Sequence, residues 1–198
     1  MEFSTRFLVL ICAISAIGCS RRAPEAQAKL DTLSMAAEYG NVARVRELAT
    51  TQAIIDQFDS SGYSPLMHAV ANRHLEAAKI LVSLGADTSI KHRSGSDLIM
   101  LSLLNSMEDP SLEMLNYLIG LGLNPGYVTP SGECALDIAI DFKHEAAVIR
   151  LISAGAMPTK KSIQLVNAKD YPSEPITARV VEAAARGRKA AQKSPVSS

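Results

Sequence analysis

"DSSGYSPLMHAVANRHLEAAKILVSLGAD", residues 59–87, holds a turn, two short helices and the stop that ends the second. Leu66, Ala69 and Val70 stand at i, i+3 and i+4, which gives the first helix one apolar stripe. Pro65 falls in its first turn, where a missing N–H costs nothing. The second helix is expected to bury Leu75, Ala78, Leu81 and Leu84, and Gly85 then permits the left-handed turn that closes it. No such unit can bury both of its faces alone.

The same ending returns along the chain. "LVSLGADTSI" (81–90), "YLIGLGLNPG" (117–126) and "LISAGAMP" (151–158) each close an apolar helical run on a glycine and small or turn-forming residues. Gly62 and Gly95 are 33 residues apart, as are Gly122 and Gly155. Gly95 and Gly132 are separated by 37, and "NSMEDP" (105–110) supplies the surplus. A period of about 33 residues with a turn and two helices is the sequence signature of ankyrin repeats. Further copies are "SGSDLIMLSLLN" with "PSLEMLNYLIGLGLN", and "SGECALDIAIDFKHEAAVIRLISAGA"; "DTLSMAAEYGNVARVRELA" (31–49) looks like a first copy without its leading turn. Ala36, Ala69, Ser102 and Ala139 recur at one place, where neighbouring helices must approach closely.

Over residues 31–158 the chain resembles the ankyrin-repeat family. The implied fold is an all-α solenoid of four helix-turn-helix units with short hairpin turns (31–58, 59–91, 92–128, 129–158), followed by a C-terminal helical cap (159–191) and a disordered tail (192–198). There are departures from the family pattern. Its TPLH histidine is replaced by Met67, with His68 one place later, so the motif's hydrogen-bonding role does not pass to His68. Asp97-Leu98-Ile99 stands for Thr-Pro-Leu, and Arg150 takes a usually apolar place. The third repeat is therefore expected to be the least regular.

The N-terminus reads differently. "FLVLICAISAIG" (7–18) is an apolar run too short to span a bilayer but suited to an export signal. "AIGC" resembles a bacterial lipoprotein signal, with Ala16 where Leu is usual, and implies lipid attachment at Cys19. Ordinary secretion, with cleavage at the same point, is the alternative. With Cys12 in the signal and Cys19 acylated, Cys134 would be the remaining thiol, and the exported domain would be stabilised by packing alone. Ser20 in place of Asp suggests, by resemblance to lipoproteins, the outer membrane. Residues 20–29 would then be a tether reaching about 35 Å when extended, with the domain facing the periplasm.

Candidate chemistry is thin. With 20 basic and 20 acidic residues, no whole-molecule field favours nucleic acid. "GLGLNPG" (120–126) closes a helix rather than opening one, unlike a phosphate-binding loop. His74 and His144 sit twelve places after their repeat glycines as turn residues, without the spacing of a metal site. A Cys134–His144–Asp137 nucleophile is conceivable, but Cys134 takes the Thr place of its repeat, so a buried structural role is expected. Neither cofactor, metal, small-molecule substrate nor enzymatic activity is expected. Residues 159–198 carry eight basic and three acidic groups against eleven and sixteen in 19–158. Ile176, Val180 and Ala184 stand at helical spacing after Pro175, as in a capping helix; a basic surface for an anionic polymer or lipid is the alternative.

The resemblance implies a monomeric protein-binding module that uses its turn tips and the exposed face of its first helices. Carried over position by position, that surface comprises Tyr39, Phe58, Ser60, Ser61, Tyr63, Asn72, His92, Arg93, Ser96, Asn105, Thr129, Glu133 and Phe142. An adaptor or inhibitor, for example one neutralising a toxin delivered to the periplasm, competes with a structural factor for an envelope assembly or a stress-defence enzyme.

Overall fold

The computed structural model describes residues 32–104, 112–166 and 179–186. The signal, Cys19 and the tether lie outside the described residues, as do Asn105, Pro175, Ile176 and the tail. Helices run in the order α1 (32–38), α2 (Val42–Leu48), α3 (Gln52–Ile55), α4 (Pro65–Ala71), α5 (Leu75–Ser83), α6 (Leu98–Leu104), α7 (Leu112–Gly120), α8 (Ala135–Asp141), α9 (Glu145–Ser153), α10 (Lys160–Val166) and α11 (179–186).

Two layers result. First helices stack on first helices, α4 on α6 and α6 on α8, while second helices meet in their own layer, α2 against α5 and α7 against α9. Ala36, Ala69, Ser102 and Ala139 are all buried, and Ser102 returns its hydroxyl to the carbonyl of Ile99 at 2.7 Å. Small side chains at this place set the spacing of the inner layer. Ala69→Leu and Ala139→Leu should each destabilise by about 1–3 kcal/mol, because overpacking strains a tight interface. Urea unfolding checks this, and midpoints that barely move for both variants would contradict the register.

The turns repeat in detail. Asp59, His92 and Thr129 each open a hairpin by donating their N–H to the carbonyl of Tyr63, Ser96 and Glu133, at 2.9, 2.9 and 2.8 Å. Gly62, Gly95 and Gly132 stand at the tips with φ near +88°, +88° and +86°, where an L side chain is strained. The helix stops Gly85, Gly122 and Gly155 are likewise left-handed, as expected from the sequence. Between the two helices of a repeat, Arg73 and Lys143 adopt φ of 61° and 60°, the place that Gly40 fills in the first copy. The following residues, Asn41, His74 and His144, donate their N–H to Ala36, Ala69 and Ala139 at 2.8 Å in each case.

Several expectations need correction. Leu84 is 39% exposed, because it stands at the C-cap of α5 after the stripe has turned away. Ala77 and Ile80 are buried beside Ala78 and Leu81. His68 does hold the fold by hydrogen bonding, but with Asp59 (2.7 Å) rather than within the family's motif. Burial would raise the Asp59 carboxyl, yet the bonds from His68, Tyr63 and Ser61 outweigh it and hold it below its ordinary range. The third repeat keeps its turn as regular as the others. There Asp97, 7% exposed, caps α6 by accepting the Met100 N–H at 2.9 Å, as Ser64 accepts that of Met67 at 3.2 Å. Burial pushes the Asp97 carboxyl up.

Two helices, α10 and α11, lie within the stretch expected as a C-terminal cap (159–191). α10 packs on α8, and Ser162 and Val166 are buried. In α11 the buried residue is Val181, while Val180 and Ala184 are half-buried. Within the first repeat the short α3 ties the stack laterally. Gln52 donates to the carbonyl of Gly85 at 2.7 Å, and Asp56 accepts the Asp87 N–H at 2.8 Å.

Candidate functional site

The stacking leaves a groove along the first helices. It has a volume of about 210 Å³ and is lined by Met100 and Leu104 of α6, by Asp137, Ile138, Asp141 and Phe142 at α8, and by Ser96, Glu133 and Lys161. Its apolar floor is only partly covered. Leu104 is 38% and Phe142 42% exposed, and Ile138 is half-buried. Phe142 follows the last turn of α8 as its C-cap, which aims the ring out of the core, and it stacks on the His144 ring at 5.9 Å. Lys161 reaches from the cap to Glu133 at 2.9 Å, and that hydrogen bond raises its ammonium above the ordinary range.

The residues carried over from the resemblance divide into three sets. Tyr39 (72% exposed), Phe58, Asn72 and Phe142 present surface, as do Ser60, Ser61 and Glu133 at the tips. A second set holds the turns to one another. Arg93 donates to the Ser60 carbonyl at 3.1 Å and covers Gly62, so one tip is strung to the next. His92 is half-buried, with its ring 4.5 Å from that of Tyr63. Tyr63 itself lies between His92 and His68, whose ring is 5.1 Å away, and packs on the core.

The third set corrects the surface reading. Ser96 and Thr129 are buried, because their turns fold them inward to make local hydrogen bonds. Thr129 Oγ1 accepts the Glu133 N–H at 3.0 Å, and Ser96 Oγ lies 3.0 Å from Ser94 Oγ. Both hydroxyls are engaged within their own turns, although Ser96 still borders the groove. Tyr63 is withdrawn for the same reason: its half-buried ring is a packing element, so truncating it should cost stability.

Residues that sequence reasoning missed are Leu104, Ile138 and Asp141, with Met35 and Glu38 in the first repeat. Allowing for the 33- and 37-residue spacings, Glu38, Ala71, Leu104 and Asp141 share one register position, and Met35, His68, Leu101 and Ile138 another. A leucine where the other copies carry Glu, Ala and Asp was the available signal.

No nucleophile emerges at Cys134. It is 2% exposed, and burial, with Asp137 alongside, pushes its thiol up to about 11, so it stays protonated at neutral pH. Among the described residues no group of three or more His, Cys, Asp and Glu could hold a metal ion, and no helix is long and apolar enough to cross a membrane. "GLGLNPG" begins on the last residue of α7 and carries the left-handed Gly122 just beyond it.

The paired helices, glycine tips and glycine stops agree with the comparison with known families. A family model described as "Ankyrin repeats (3 copies)" matches residues 8–92. The fold, a stack of paired helices, is similar to an ankyrin-repeat solenoid. A protein of Rickettsia bellii (strain RML369-C), named as an ankyrin repeat protein, is 34% identical over 76 residues. That alignment takes in 36% of this chain and spans 11% of the relative's own length. Ankyrin repeats are in general protein–protein interaction modules and non-enzymatic.

Proposed function

We propose that this chain is a membrane-tethered protein-binding module, an adaptor or inhibitor that faces the bacterial periplasm. The observation that carries the reading is the apolar strip of Leu104, Ile138 and Phe142, partly open together in one groove along the first helices. Exposed aromatic and aliphatic area beside polar turn tips is what a binding hot spot uses. An effector toxin delivered to the same compartment is the kind of partner that an inhibitor of this form would neutralise. A photo-crosslinking side chain at position 142 should capture a partner in periplasmic extract, whereas the same group at position 79 should not. Capture from position 79 alone would overturn the assignment of the groove.

The tether is the part of the proposal that rests on sequence. The lipobox-like "AIGC" supports a lipid on Cys19 and attachment to the outer membrane. Cys19→Ala is expected to release the protein from membranes. Membrane fractionation with the mass of the mature N-terminus checks this, and an unmodified Cys19 on soluble protein would sink the lipid anchor.

A further inference from the structure

We infer that the partner seats a bulky apolar side chain flanked by a lysine or arginine in the groove of the third and fourth repeats. This deepens the binding reading above and rests on it. Size comes first. At about 210 Å³ the groove is below the roughly 300 Å³ at which pockets for drug-sized molecules begin. It offers room for an anchoring side chain over Met100, Leu104, Ile138 and Phe142.

Charge decides what flanks that anchor. Three carboxyl groups line the groove, those of Glu133, Asp137 and Asp141, against the one ammonium of Lys161. Lys161 is taken by Glu133 at 2.9 Å. Among the described residues the hydrogen bonds to Asp137 come from neutral donors, the hydroxyls of Ser162 and Thr159 and the N–H of Cys134, with Lys161 acting on it through charge alone. Asp141 is exposed and makes no ion pair among the described residues. An apolar anchor arriving with a cation would meet this excess of acid, whereas one arriving with a carboxylate would be repelled.

The first repeat carries the same arrangement at the same register. Met35, Glu38 and Tyr39 correspond to Ile138, Asp141 and Phe142: an apolar residue, an acid three places on, then an aromatic. Met35 is 53% and Tyr39 72% exposed, and Glu38 is half-buried beside them. In the second repeat the trio is His68, Ala71 and Asn72, which offers neither the acid nor the aromatic.

The test uses the full mature chain and two labelled twelve-residue peptides, each with a central Leu-Phe pair. Arginines flank the pair in one and glutamates in the other. Fluorescence anisotropy at low salt should show the arginine peptide binding about tenfold more tightly, with Asp141→Lys abolishing or reversing that preference. Phe142→Ala should weaken the arginine peptide, and Lys79→Glu, on the opposite layer, should not. Equal or tighter binding of the glutamate peptide, or an unchanged preference in Asp141→Lys, would overturn the inference. If Phe142→Ala still weakened binding in that case, the groove would stand as the binding surface and only its charge preference would fall. Failure of both peptides to bind the full chain would also overturn the inference, as expected if the chain's own terminal segment or a second copy fills the groove.

Discussion

Leu81→Ala is expected to destabilise the protein by about 3 kcal/mol, and Leu84→Ala, three residues later, by about 0.5 kcal/mol or less. Leu81 is fully buried in α5, among side chains of the same layer, so truncation removes apolar burial and leaves a cavity that short, tightly spaced helices collapse into poorly. Leu84 is the C-cap of that helix and already 39% in water. Both leucines look alike from helical spacing. Urea unfolding of the two variants separates them, and similar losses for both would mean that α5 is rotated from the orientation described.

The second large effect concerns the cap. Asp137, 2% exposed, is the acceptor on which the last repeat and α10 converge. Ser162 donates to it at 2.5 Å, Thr159 at 3.0 Å and the Cys134 N–H at 3.3 Å. Ser162 is itself fully buried. Asp137→Ala strands these donors, and unmet buried groups cost about 1–3 kcal/mol each, partly offset where Thr159 and Ser162 bond one another. The expected loss is about 3 kcal/mol, with Asp137→Asn, which keeps an acceptor, losing less. Hydrogen exchange should rise first across residues 160–166. An unchanged unfolding midpoint with α10 still protected would contradict this role for Asp137.

Most of the fold was legible because its determinants are local and recur. Gly85 and Gly155 announce helix stops through a backbone conformation that other residues resist. Ala69 and Ala139 announce close approach through size alone. What failed were readings in which position stood in for direction. Ser96 and Thr129 occupy a tip in sequence, but their hydroxyls are drawn inward by the turn's own donors and acceptors. Leu84 continues a stripe by spacing, yet the helix ends beneath it. The cap network could not be read at all, since no periodicity relates Asp137 to Ser162. Leu104 and Ile138 were overlooked because the groove is formed between repeats, whereas the pattern was read within each one.

The most direct measurement is calorimetric titration of the captured partner into the wild-type chain, Phe142→Ala and Lys79→Glu, beside unfolding curves for the same proteins. Phe142 is 42% exposed at the groove, so its loss should leave stability within about 1 kcal/mol while weakening binding by about 2 kcal/mol, the scale of a hot spot. Lys79, exposed on α5 and paired with Glu76 across one helical turn, should tolerate charge reversal with little change in affinity. Unchanged binding in Phe142→Ala, with binding abolished in Lys79→Glu, would put the partner on the second-helix layer and contradict the assignment of the groove.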